Sequence, residues 1–215
     1  MSVISQIYDN TIRDILPRKL GVYNSVPRRA PRLFDQQVNF PNYEDSLVNA
    51  VTNIVKPTDD VTVVGGGWGV TAVHAARRGT SVDVYEANAA QVAEIEFTLS
   101  LSKVSSITDI HHALVGPAKH VYRDGAKDAA TISPSDLPES DVLELDCEGA
   151  EIEILEELSY QPRAIIVEVH PQFNATRDRV SGLLTERGYN IINSEFEDEE
   201  TGVEVLTAVT DDETR

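Results

Sequence analysis

Apolar and polar positions along the chain fall into two periods. Short apolar runs rich in β-branched residues stand at 61–64 (VTVV), 81–85 (SVDVY), 107–114 (ITDIHHAL), 141–146 (DVLELD) and 164–169 (AIIVEV). Their length and composition predict strands. Helical spacing lies between them. The stretch from the glycine cluster through Ala76 is apolar and stops at Gly79, and 88–102 sets Val92, Ile95 and Leu99 on one face. Residues 150–158 turn Ile154, Leu155 and Leu158 inward and Glu151, Glu153, Glu156 and Glu157 outward, and 175–187 predicts a further helix. Another helix, at about 43–55, ends before Lys56-Pro57-Thr58-Asp59-Asp60, where proline and acids mark a turn.

Two last strands, YNIINS (189–194) and VEVLTAVT (203–210), are joined by the acidic loop FEDEETG with no helix between. They are expected to pair as an antiparallel hairpin. Strands alternating with helices imply right-handed crossovers. The expected fold is therefore α/β and Rossmann-like, a seven-stranded, mainly parallel sheet with a C-terminal antiparallel hairpin and helices on both faces. That is the topology of class I methyltransferases. Residues 43–215 are assigned to this domain. Residues 1–42 are read as an N-terminal helical extension, with a helix near 2–16 followed by the Pro/Arg stretch VPRRAPR. It is read either as a cover for the acceptor pocket or as a homodimer contact.

A length of 215 residues and a hydrophobic fraction of 41% suit one domain with one core. No run approaches the ~18 apolar residues of a membrane span. The first residues lack the features of a signal peptide, so a cytoplasmic location is expected. The single cysteine, Cys147, excludes an intramolecular disulfide and a multi-cysteine zinc site. His111 and His112, pointing to opposite faces of a strand, make a poor joint metal site, and no metal is expected.

Charge narrows the partners. Thirty-six acids face 18 bases, a net charge of −18, which repels phosphate backbones and anionic lipid. A small-molecule acceptor is expected, with no nucleic acid. The acids are dispersed and lysines number only five, a halophilic, haloarchaeal-like composition, though an ordinary acidic cytosolic protein is the alternative.

VVGGGWGVTA places Gly65, Gly66, Gly67 and Gly69 between a strand and a helix. Glycines permit positive φ and close backbone approach, and the helix start offers unpaired N–H groups. Glu86 ends the next strand, 17 residues beyond Gly69, where a carboxylate can accept from both ribose hydroxyls. The pair suits an adenosine ligand. Because Gly67-Trp68-Gly69-Val70-Thr71-Ala72 also fits G-x-G-x-x-G/A, these residues do not choose between S-adenosylmethionine and NAD.

The discriminating segment is DVLELDCEGAEIEIL (141–155), followed by IIVEVHP (165–171). Acids crowd the carboxyl end of a strand, where ligands of parallel sheets bind. Asp146, Glu148, Gly149, Glu151, Glu168 and His170 resemble the aspartate–x–glutamate–glycine–x–glutamate and glutamate–x–histidine stretches of FkbM-family methyltransferases. Tyr43-Glu44, Lys56-Pro57 and Asp60 precede the glycine loop in that family's order. The resemblance covers about residues 40–210 and implies S-adenosyl-L-methionine as cofactor. It further implies O-methylation of a hydroxyl, or a carboxylate, on a sugar, a glycan precursor or another small metabolite. The chain departs from the family at Val63, where an acid is usual, at Gly66 and Gly67-Trp68, and at Glu144, where a lysine is usual.

The candidate cofactor-binding residues are Gly65, Gly67, Gly69, Glu86, Ala113, Tyr43 and Asp146, with His112-Ala113-Leu114 implied to line the adenine pocket. The candidate catalytic residues are His170, Glu148 and Asp146. Of these, His170 is the natural base near neutral pH. Glu148 is a base or a loop tie, and Asp146 orients the methionine amine or the acceptor. Glu151 is read as a helix cap. Trp68 packs on a ligand or plugs the core. Two other readings stay open: an NAD-dependent oxidoreductase, and a non-catalytic cofactor-binding protein of the same fold.

Overall fold

The computed structural model describes residues 16–79, 81–116, 126 and 128–211. An eight-stranded sheet runs through the molecule, built from β4 (Asp60–Val64), β5 (Ser81–Glu86), β6 (Thr108–Val115), β7 (Ala130–Ile132), β8 (Val142–Leu145), β9 (Ala164–Val169), β10 (Tyr189–Asp198) and β11 (Val203–Thr210). The order is β10-β11-β9-β8-β4-β5-β6-β7. The strands from β9 to β7 are parallel, and β11 runs antiparallel to both β9 and β10.

The mainly parallel sheet and the hairpin agree with the sequence pattern. One strand more is present than expected, because the three residues of β7 are too few and too polar to register as an apolar run. The FEDEETG loop is also shorter than expected, since β10 continues through Asp198 and only the turn at 199–202 remains.

Both faces of the sheet are covered. Helices α1 (Asp45–Ile54), α2 (Val70–Ala76) and α3 (Ala89–Ser102) lie on one side, α4 (Glu151–Glu157) and α5 (Arg177–Glu186) on the other. The central strands therefore send alternate residues into two cores. On β8, Val142 joins the first core while Leu143 and Leu145 join the second; on β9, Ala164 and Ile166 oppose Ile165 and Val167. Burial on both faces gives such strands their near-continuous apolar sequence.

The N-terminal extension differs from expectation. Its expected helix near 2–16 lies almost wholly outside the described residues. The rest is not helical: β1 (Arg18–Tyr23) and β2 (Val26–Arg32) form an antiparallel hairpin, and β3 (Asn39–Phe40) pairs with β1 in parallel. VPRRAPR is thus the strand β2. Pro27 and Pro31 exclude a helix here, and alternation buries Val26, Arg28 and Pro31 more than their neighbours. Tyr23 and Val26 belong to the first core, so this small sheet packs on the main domain beside α3.

The C-terminal hairpin braces the start of α1. The Ser46 N–H donates to Glu197 Oε2 at 2.9 Å and the Ser46 hydroxyl donates to the Phe196 carbonyl at 3.1 Å. Glu197 thereby satisfies an orphan N–H at a helix N-terminus.

Candidate active site

The carboxyl ends of β4, β5, β8 and β9 converge on one cleft. The β4–α2 loop is the glycine loop, with Gly65, Gly67 and Gly69 all at positive φ (90°, 50° and 79°). A Cβ on Gly65 would stand 1.8 Å from the Asp146 carbonyl oxygen, so the glycine loop and the end of β8 are packed backbone to backbone. Gly67 is open by contrast. Among the described residues beyond its chain neighbours, only Glu44 Oε1 stands within 4 Å of its Cβ position, at 3.9 Å.

Glu86 ends β5 with its carboxylate turned into this cleft. It accepts from the Asn88 N–H (2.7 Å) and the Gly67 N–H (3.2 Å). Burial raises its pKa, against the pull of those N–H groups. With the Ala87 N–H also bearing on it, the carboxylate keeps acceptor capacity for a further donor. Beside Glu86, Val64, Gly65, Tyr85, Ala87, Ala113, Leu114, Val115, Cys147 and Ala150 line a mostly apolar pocket, with Ala113 and Leu114 of the expected trio in its wall. His112 instead faces the Ala87 carbonyl at 3.1 Å, and His111 faces Asp83 at 2.7 Å, so the two histidines do not converge.

On the other side of Gly67 the wall is acidic. Tyr43 and Glu44 precede α1. Burial and the nearby Asp146 charge push the Glu44 carboxyl up to about 8, and burial raises the Tyr43 hydroxyl beyond its usual range. Asp146 and Glu168 stand together, with carboxylate oxygens within 4.8 Å of each other. Burial drives both upward, Glu168 to about 7 and Asp146 well above its ordinary value.

His170 follows β9 and is 6% exposed. Its Nδ1 lies 3.0 Å from Glu151 Oε1, and its Nε2 lies 3.6 Å from Asp146 Oδ1 and 3.7 Å from Glu168 Oε2. Burial alone would lower the His170 pKa, but the Glu151 hydrogen bond and the charges of Asp146, Glu151 and Glu148 outweigh it and raise it. Donor atoms of Asp146, Glu168 and His170 all lie within 4.8 Å of one another, close enough to share one cation.

Glu151 corrects the sequence reading. Helical periodicity placed it outward, yet it is fully buried. It accepts from the Gly149 N–H at 2.8 Å as well as meeting His170, so it is both the loop tie and the holder of the imidazole. Glu148, read as a possible tie, makes no hydrogen bond with the described residues; it adopts φ 47° and acts on Glu86, Asp146 and His170 through charge alone.

Trp68 is neither buried plug nor free surface. The Arg28 guanidinium lies 4.0 Å from its ring centroid, 4.4 Å from that of Tyr23 and 5.5 Å from that of Tyr43. Sequence reasoning missed Arg28 because it sits in a stretch read as an extension. The only signal was a buried-face position within a Pro-marked alternating run.

Solved methyltransferases share this fold. The ribosomal protein L11 methylase of Lactobacillus delbrueckii subsp. bulgaricus is 13% identical, with a TM-score of 0.55 over 84% of this chain and 90% of its own. The precorrin-6y C5,15-methyltransferase of Geobacter metallireducens is 14% identical, with a TM-score of 0.51 over 85% and 93%. The M. jannaschii tRNA m1G37 methyltransferase is 7% identical, with a TM-score of 0.58 over 91% of this chain and 57% of its own. At these identities the likeness establishes the Rossmann-like methyltransferase fold. The names span RNA, protein and a small molecule, so the fold by itself selects no acceptor. No family model matches the chain, and no curated protein matches it in sequence.

Proposed function

We propose that this chain is an S-adenosylmethionine-dependent methyltransferase acting on a small-molecule oxygen. The observation that carries the reading is the charge around the glycine loop. An NAD site needs free N–H groups there for a pyrophosphate, but here the Gly67 N–H is held by Glu86, and Glu44, Asp146 and Glu148 stand nearby. Burial opposes the ionisation of these carboxyls, so a bound cation is what they gain from, and such a wall favours the ammonium and sulfonium of S-adenosylmethionine over a pyrophosphate. Glu86 then takes the ribose hydroxyls, and the pocket at Ala87, Ala113 and Leu114 takes the adenine. Gly67 gives the methionine end room to pass towards Tyr43 and Asp146, while Gly65 and Gly69 let the loop pack against the end of β8 and against Ile95.

When bound, S-adenosylmethionine would supply an electrophilic methyl group to an acceptor oxygen, its sulfur keeping the C–S electron pair, and the hydroxyl proton would pass to a base of this chain. With Nδ1–H donated to Glu151, His170 presents the Nε2 lone pair for that proton. A buried carboxylate that fixes the tautomer and stabilises the imidazolium is the logic of a base–orienter pair. Asp146 orients the acceptor or the methionine amine, and Glu148 adds negative potential at the developing positive imidazole.

The FkbM resemblance supports a sugar or other metabolite hydroxyl, and the net charge of −18 favours that over RNA. No helix among the described residues is long and apolar enough to cross a membrane, in keeping with a cytoplasmic enzyme. Exposed Leu20 on β1, with Leu33 and Phe34 in the turn after β2, supports the use of the N-terminal segment as a contact between two copies.

Calorimetric titration with S-adenosylmethionine, S-adenosylhomocysteine and NAD in high salt tests the proposal. Binding of the first two without NAD is the expected result. Binding of NAD alone would replace it with the oxidoreductase, and no binding at all would leave a non-catalytic fold.

A further inference from the structure

The methionine end of the proposed cofactor carries a carboxylate as well as its two cations, and an acidic wall alone would repel that group. A counter-charge is required. Arg28 on β2 is the cation that bears on both Tyr43 and Glu44, and it is only 4% exposed.

Its setting is unusual for a buried arginine. One ring, Trp68, lies 4.0 Å away and another, Tyr23, 4.4 Å away. Those contacts are cation–π interactions that hold the guanidinium against two aromatic rings. Among the described residues, Tyr43, Tyr23 and Glu44 are the groups that bear on its charge. Arg28 is therefore a guanidinium packed on aromatic rings next to Glu44, whose Oε1 walls the open space over Gly67.

Resting on the methyltransferase reading, we infer that Arg28 is the carboxylate anchor of the cofactor, gripping the α-carboxylate of its methionyl group while Glu44 and Asp146 receive the ammonium. The N-terminal hairpin is then part of the cofactor site. Trp68 of the glycine loop serves as the surface that holds Arg28 in place, which gives this tryptophan a role that neither ligand packing nor core filling supplies. A paired arginine fork also matches carboxylate geometry as a lysine would not.

The test compares three ligands by calorimetry: S-adenosylmethionine, its decarboxylated analogue, and 5′-methylthioadenosine, which lacks the whole amino-acid end. Wild-type protein should bind S-adenosylmethionine about 10- to 100-fold more tightly than the decarboxylated form, the range for a charge-assisted hydrogen bond to a buried group. Arg28→Gln should erase that difference and leave methylthioadenosine affinity unchanged. Arg28→Lys, which keeps the charge and lessens any risk to folding, should fall between.

Equal wild-type affinity for the two sulfonium ligands would overturn the inference alone. So would an Arg28→Gln protein that keeps the discrimination, or one that loses methylthioadenosine in the same proportion. If the decarboxylated form binds as well as S-adenosylmethionine and Arg28→Gln loses turnover only, the anchored carboxylate is the acceptor's and the inference fails. Failure of every adenosine ligand to bind wild-type protein would overturn the inference together with the reading beneath it.

Discussion

Val63 on β4 and Glu144 on β8 are register partners across adjacent parallel strands. These are two of the positions at which the chain departs from the FkbM pattern, which places an acid at the first and a lysine at the second. At these neighbouring positions the chain has an alkyl group and a carboxyl. Glu144 is 1% exposed, neither of its oxygens meets a full hydrogen bond, and the nearby Thr71 hydroxyl only partly favours its charged form. Burial pushes its pKa up to about 8, so at neutral pH it is held largely as the acid.

The sign of the resulting pH dependence follows from linkage. The folded state binds a proton at Glu144 that the unfolded chain releases near its ordinary value of 4.5. The stability cost is absent below that value, grows as pH rises, and is complete above about 8. Glu44 and Glu168 shift in the same direction. Glu144→Gln should therefore stabilise the protein at pH 7 by roughly 3 kcal/mol and be near neutral at pH 4.5. Thermal or urea unfolding across pH 4.5–8.5 measures it, and a variant no more stable at pH 7 would show that Glu144 is ionised and accommodated.

Glu86→Ala should weaken S-adenosylmethionine binding by about 10- to 100-fold while the fold persists, since it removes acceptors for two ribose hydroxyls. Calorimetry beside a circular dichroism spectrum checks both halves. Unchanged affinity would take Glu86 out of the site.

For His170→Ala the expectation is a turnover lower by about 10²- to 10⁴-fold with cofactor affinity retained. The raised pKa of His170 adds a pH signature. As the base must be neutral, turnover should climb with pH to a midpoint above 6.5, and Glu151→Gln should move that midpoint down while slowing the reaction. A Glu151→Gln profile that overlays the wild type would separate Glu151 from the imidazole's function.

Chelator should leave turnover unchanged if His170 acts as a base through Nε2. The same nitrogen, with Asp146 and Glu168, could instead hold a cation. Loss of activity in EDTA that Mn²⁺ restores would reassign the three residues as ligands.

The acid-rich, lysine-poor composition predicts that folded signal is lost below molar salt, because unscreened acids repel one another. A fluorescence or circular dichroism series from dilute buffer to 3 M KCl reads this directly. A stable fold in dilute buffer would favour the ordinary acidic cytosolic protein.

Sequence pattern was most informative where burial is two-sided. The apolar runs of β4, β8 and β9 have no other home than a covered parallel sheet, and the glycine loop with Glu86 follows from that placement. It was least informative where tertiary partners override local preference. Glu151 satisfies every rule for an outward helical acid, and only His170, 19 residues on, draws it inward. Arg28 and Pro27 read as part of an N-terminal extension until β1 supplies the strand that pairs with them. Glu44 and Glu168 could be quoted as part of a motif, but their mutual influence is visible only once four strand ends and the start of α1 meet.

The bond from Ser46 to Glu197 spans 151 positions, and it has a temporal consequence. On the ribosome Tyr43 and Glu44 emerge well before the group that pins the start of α1 beside them. The wall they form cannot set until the β10–β11 hairpin has docked against β9. A nascent chain halted before residue 197 can complete the glycine loop and the ribose carboxylate and still lack a closed cleft. Ligand competence should thus arrive late and abruptly in synthesis, as a property of the finished sheet.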